Sequence, residues 1–140
     1  MIVYLSYENG DKLHALRLRQ MLALLIEQRR IQVWSYQDGL LGIGWREEMA
    51  KHLGQAQLFL PLLSAGFFAS ARCREELELA QRLERAGLLT IVGIYVRACP
   101  WQHALSRNTI ILPDGRKPIA EARNRDKAWL GIQASIARFL

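Results

Sequence analysis

The chain has 140 residues, 51% of them hydrophobic and 23% charged, with a formal net charge of +6. That size and balance suit one globular domain with one core and exclude disordered, collagen-like and disulfide-stapled chains; Cys73 and Cys99 have no metal-ligand spacing, so a reduced cytoplasmic setting is expected. The positive charges sit in pairs such as Arg29–Arg30 and Arg72/Arg74, mixed with glutamate, which reads as a solvated basic surface in preference to a nucleic-acid face.

Residues 2–6 are a short apolar run of strand type, and residues 6–11 then read as a loop with a helix cap. The spacing of Leu13, Leu16, Met21, Leu24 and Leu25 predicts a helix over 12–30. Arg29 and Arg30 close it, where cations suit the helix dipole. A second short strand is expected at 31–34, followed by a loop over 35–44 with three glycines. Residues 45–53 form an amphipathic helix with Trp45, Met49 and Leu53 on one face. Residues 57–63 are almost wholly apolar, as in a strand buried on both faces. A connection at 64–70 leads into a helix over 71–86 with the stripe Leu77, Ala80 and Leu83. A strand rich in β-branched residues is expected at 88–96, then a long loop over 97–116 with a Pro-Asp-Gly turn at 113–115. The final helix, 125–140, carries Trp129, Ile132, Ile136 and Phe139. It reaches Leu140 without a stop signal, a hint that the domain, 1–140, was cut from a longer multidomain protein. No signal peptide opens the chain, and the longest apolar runs, 58–69 and 87–96, fall short of a membrane span.

Strands alternating with helices predict a parallel sheet covered on both faces. Right-handed crossovers make it doubly wound, and the flavodoxin-like order is the small solution. Such sheets place ligands at the carboxyl ends of their strands, near the switch in strand order. Here that switch lies between the first and third strands, which draws attention to residues 6–11, 34–44 and 64–76.

Common enzyme signatures are missing there. The loop 39–44 has neither GxGxxG spacing nor the Gly-Lys-Ser/Thr of a phosphate loop. His14, His52 and His103 are scattered without metal-ligand spacing and read as surface or satisfied histidines. A phospho-receiver would need acidic residues after its first and third strands, which here end in Ser6-Tyr7 and Leu62-Leu63-Ser64. The informative stretch is 64–77. Ser70 can cap the helix it precedes, and Glu75 and Glu76 fall in the first turns, where carboxylates are favoured. Arg72 precedes Glu76 by four residues, and Arg74 precedes Glu78 by four, so helix-surface pairing is available. Glu76, beside Cys73, Leu77 and Ala80, lies at the edge of the buried stripe and within reach of the strand ends, while Glu75 and Glu78 point further outward.

These segments, in order, resemble a Toll/interleukin-1 receptor (TIR) domain of the bacterial kind. Val3-Tyr4-Leu5-Ser6-Tyr7 followed by Asp11 is similar to the family's first box. Val33-Trp34, Asp38, Gly42 and Trp45-Arg46 resemble the BB loop and the helix after it. Ser70, Cys73, Glu76 and Leu77 match the motif that carries the family's catalytic glutamate, and Cys99-Pro100-Trp101, Lys117-Pro118-Ile119 and Ala128-Trp129 match the tail. The resemblance implies a TIR fold of about five parallel strands flanked by helices, the fifth at 109–112. It implies a domain that cleaves NAD+ at the nicotinamide–ribose bond, releasing ADP-ribose or a cyclic isomer, activated by self-assembly in a bacterial immune, antiphage or stress response. NAD+ is then substrate, with no cofactor and no metal. The alternative is a non-enzymatic scaffold that joins TIR domains through the BB loop, where Leu40, Leu41 and Ile43 are apolar. Glu76 is the implied catalytic residue. Ser6, Tyr7, Glu8, Trp34, Asp38, Gly42, Trp45, Ser70, Arg72 and Cys73 are the implied nucleotide-cleft residues, with Tyr7 and Trp34 placed to stack on a flat ring. Many family members have Trp where this chain has Arg72, and Arg where it has Glu8. Expected partners are other TIR domains and a fused or separate sensor, with neither nucleic acid nor membrane.

Overall fold

Alternation along the first strand sets the layout. In β1 (Ile2–Ser6), Val3 and Leu5 enter one core and Tyr4 enters a second on the opposite face, as the two-residue period of a strand requires. The computed structural model describes residues 1–36, 42 and 44–140. Its other strands are β2 (Gln32–Ser35), β3 (Leu58–Leu63), β4 (Thr90–Tyr95) and β5 (Ile110–Leu112). All pair in parallel in the order β2-β1-β3-β4-β5. This is the flavodoxin-like order, with its switch between β1 and β3.

The first core lies under α1 (Lys12–Met21), α2 (Ala23–Glu27) and α6 (Arg125–Ala137). The second lies under α3 (Trp45–Gln55), α4 (Ala65–Ala69) and α5 (Ala71–Arg85). Every residue of β3 is buried because helices cover both of its faces.

Three expectations change. The expected 12–30 helix is divided at Leu22, and its buried stripe is Ala15, Leu18, Leu22 and Leu25. Leu13, at 79% exposure, Leu16 and Leu24 face outward. This helix carries leucines on two faces, so spacing alone identifies two stripes, and the one with the small Ala15 packs on the sheet. The 64–70 connection contains α4, which Ser64 caps by accepting the Phe67 amide at 3.1 Å while the Phe67 ring enters the core. The last helix ends at Ala137, three residues before the terminus. The fifth strand falls at Ile110–Leu112, within the expected segment.

Gly93 in β4 sits opposite Ile111. A Cβ there would lie 2.8 Å from Ile111 Cδ1 and 2.9 Å from Leu63 Cδ1. Both atoms are terminal methyls that can turn aside, so Gly93→Ala is expected to cost no more than about 1 kcal/mol, read as a slightly lower urea midpoint at unchanged slope.

Candidate functional site

The amino end of α5 builds the site. Ser70 accepts the Cys73 amide at 3.2 Å and fixes the first turn, which sets Arg72 and Glu76 one turn apart on the same side. Glu76 has no solvent exposure. One carboxylate oxygen, Oε1, accepts hydrogen bonds from Ser6 Oγ at 3.2 Å and Arg72 Nη1 at 2.5 Å. The other accepts a short hydrogen bond from the Tyr4 hydroxyl. Arg72 also donates from Nη2 to the Tyr7 carbonyl at 2.8 Å, and its guanidinium lies 4.3 Å from the centre of the Tyr36 ring. Burial raises the Glu76 pKa above the ordinary carboxylate value, against the opposing pull of the Arg72 charge and the hydrogen bonds from Tyr4, Ser6 and Arg72. Burial, then the neighbouring Glu76 charge, pushes the Tyr4 hydroxyl pKa upward, so Tyr4 remains a donor.

A second buried carboxylate lies nearby. Asp11 accepts from Ser64 Oγ at 2.5 Å and from Arg97 Nε at 2.7 Å. It joins the carboxyl ends of β1, β3 and β4 in one network. A cleft of about 380 Å³ opens beside these ends, lined by Glu8, Asn9, Gly66, Ala69, Ser70 and Arg72. A larger cleft of about 440 Å³, near Met1, Ile2, Arg19 and Gln32, sits by the amino ends of β1 and β2 and holds no carboxylate. The smaller one matters here because Arg72, the partner of Glu76, lines it at the switch point. Among the described residues, no group of three or more His, Cys, Asp or Glu side chains converges as a metal site.

The profile of the TIR domain family matches residues 3–128. The chain belongs to the TIR domain family. An uncharacterized protein, y4lF, from Sinorhizobium fredii is 29% identical over 137 residues. That match covers 96% of this chain and 42% of the relative, so the chain spans less than half of the longer protein. In fold it is similar to the crystal structure of the TIR domain of the Toll-related receptor TRR-2 from Hydra magnipapillata. The TM-score is 0.62 at 15% identity, covering 96% of this chain and 97% of that one.

In this TIR domain, Ser6, Glu76 and Arg72 meet directly, while the other expected site residues take varied positions. Glu8 and Ser70 line the adjoining cleft. Tyr7 supplies its carbonyl to Arg72, but its ring packs in the core under α1 and α6, on the sheet face opposite Glu76. It is not placed to stack on a ligand, since β1 alternation continues through it. Trp34 packs on Tyr4, with ring centres 4.9 Å apart, and its face is stacked on His52 at 4.0 Å. Cys73 is buried in the second core, and burial raises its thiol pKa. Trp45, half-buried, opens α3 beneath Arg46, which forms a two-pronged ion pair with Glu75 at 2.9 and 3.0 Å. Gly42 is exposed with φ +137, a conformation that favours glycine. Asp38 and the apolar Leu40, Leu41 and Ile43 lie outside the described residues. Of the two expected helix pairs, Arg72–Glu76 forms, but inside the protein, while Arg74 donates to the Phe68 carbonyl.

Sequence reasoning overlooked Tyr4 as a site residue and read Asp11 with the loop and helix cap. Asp11 makes no side-chain cap, since Ser64 and Arg97 occupy its carboxylate. The signal for Tyr4 was present: it precedes Ser6 by two, so both side chains share one face of β1.

Proposed function

We propose that this TIR domain cleaves NAD+ at the nicotinamide–ribose bond and that Glu76 stabilises the ribosyl cation formed. One observation carries the reading: a buried carboxylate, Glu76, is held by Tyr4 and Ser6 at the switch-point end of the sheet, beside a cleft. One carboxylate suffices because nicotinamide leaves as a cationic ring. When the C1′–N1 bond breaks, its electron pair neutralises the pyridinium, so no acid is needed. The ribosyl carbon is left electron-poor, and a fixed negative charge lowers the cost of reaching that state. Water then adds to C1′ and loses a proton, giving ADP-ribose. Capture by a nucleophile within the substrate would instead give a cyclic isomer.

The test is nicotinamide release from NAD+ by concentrated, assembled protein, beside Glu76→Gln. The variant is expected to be slower by about 10²–10³-fold, the usual cost of removing one preorganised charge-stabilising group. Equal release by both proteins would move the chemistry away from Glu76. No release by either, while a known active TIR domain consumes NAD+ in parallel, would favour the second reading, a scaffold that assembles with other TIR domains. The outward Leu13, Leu16 and Leu24 of the α1–α2 segment, with Leu130 of α6, are the apolar surface that supports that reading.

A further inference from the structure

Glu76 is closed off in this structure, and its three partners are not equivalent. Tyr4 and Ser6 are wholly buried in β1. The Arg72 side chain keeps 17% exposure, against none for Glu76. It is also the only one of the three that lines the adjoining cleft. While Arg72 holds Glu76, the pair is nearly neutral, and a neutralised carboxylate stabilises a cation poorly.

We propose that Arg72 is an exchangeable partner of Glu76: a diphosphate entering the cleft lined by Glu8, Asn9, Gly66, Ala69 and Ser70 draws the guanidinium off the carboxylate and holds it. This deepens the NAD+ reading by giving the substrate's diphosphate a task, and it rests on that reading only for the molecule that carries the diphosphate.

Three features support the exchange. The guanidinium fork fits phosphate oxygens as well as carboxylate oxygens, so one charge-assisted pair replaces another. Arg72 is reached through its own long side chain from α5, so the guanidinium can turn toward the cleft without movement of the helix. Ser70, the cap of α5, lines the same cleft, and the positive end of the helix dipole favours the same anion. The one acidic side chain in the wall, Glu8, is turned onto the Gly10 amide at 2.8 Å and lies in the field of Arg97.

After the exchange, Glu76 keeps Tyr4 and Ser6, which orient it, and loses the partner that neutralised it. The ribosyl cation forming on the bound substrate can then take the place of the guanidinium beside Glu76, and it can do so only when a diphosphate holds Arg72 away. A nucleoside without a diphosphate would leave the pair closed. Arg72 therefore acts both as a binding residue for the phosphates and as a device that restricts the site to diphosphate-bearing ligands.

The test uses inorganic pyrophosphate on the whole chain, followed by nuclear magnetic resonance. The Arg72 side-chain N–H and the Glu76 carboxyl carbon are assigned through Arg72→Lys and Glu76→Gln. Pyrophosphate is expected to shift both signals along one saturation curve, while sodium chloride of equal ionic strength shifts neither. In Arg72→Gln, pyrophosphate affinity should fall by at least about tenfold, the effect of losing a charged hydrogen bond, and the Glu76 signal should no longer respond. An Arg72 shift without a Glu76 shift overturns the exchange, as does a lack of response in both or an equal response to salt. The parent titration needs no variant to fold. Exchange without nicotinamide release would sink the NAD+ reading alone, and nicotinamide release without exchange would sink this proposal alone.

Discussion

Replacing Asp11 with alanine is expected to destabilise the domain by about 2–3 kcal/mol, the cost of leaving a buried hydroxyl, Ser64, without its partner and of losing a charge-assisted hydrogen bond to Arg97. Asp11 has no solvent exposure, so its hydrogen bonds are not shared with water. Its removal strands the Ser64 hydroxyl, which is also wholly buried, and loosens the group that caps α4 through the Phe67 amide. Arg97 suffers less, because its side chain is 45% exposed and can turn to water. Three strand ends lose their common tie, and those ends form the floor beside the cleft. Urea unfolding should show a lower midpoint, and the melting temperature should drop by on the order of 10 °C. Asp11→Asn keeps an acceptor for Ser64 and should lose less. A loss below about 1 kcal/mol in Asp11→Ala would show that packing alone holds the strand ends.

The sheet was legible because β3 and β4 are long apolar runs between clear helices, and strand–helix alternation admits few topologies. What failed was local. Residues 65–69 form a helix too short for any period to declare, set by a serine cap and one buried phenylalanine. In the α1–α2 segment, leucines on two faces made the wrong stripe plausible until the sheet selected the stripe with Ala15. For the site, the position of Glu76 at the edge of the α5 stripe was readable, because helical spacing fixes it relative to Leu77 and Ala80. The closure of that site was not readable. Tyr4 and Glu76 are 72 residues apart in sequence, and their contact depends on how α5 crosses the sheet. Spacing also made Arg72–Glu76 look like a surface pair, whereas tertiary packing turned the same i,i+4 geometry into a buried one.

That buried pair yields the second large effect. Arg72→Gln should cost about 3–5 kcal/mol near neutral pH, because it leaves a buried carboxylate without its counter-charge. The penalty should depend on pH with a definite sign. Burial already raises the Glu76 pKa above the ordinary 4.5, and the Arg72 charge is the largest influence opposing that rise. Without Arg72 the folded pKa climbs further above its unfolded value. A group with a raised folded pKa binds more protons folded than unfolded, so stability is full below the unfolded value and declines as pH rises through the folded one. Urea unfolding of Arg72→Gln should therefore approach the parent as pH falls to the ordinary carboxylate value of 4.5 and below, and separate from it as pH rises. In the parent the Glu76 contribution should have the same sign and be smaller. Arg72→Gln combined with Glu76→Gln removes the titrating group, so the Glu76 contribution to the slope should vanish and much of the lost stability should return. A penalty that is constant with pH would mean that Arg72 supports the fold through its contacts with the Tyr36 ring and the Tyr7 carbonyl and not through its charge on Glu76. A pH-dependent penalty would show that the fold keeps a carboxylate in a place where its charge is costly unless a cation stands beside it. It is the same electrostatic condition that would let a developing ribosyl cation benefit from Glu76 once Arg72 has moved away.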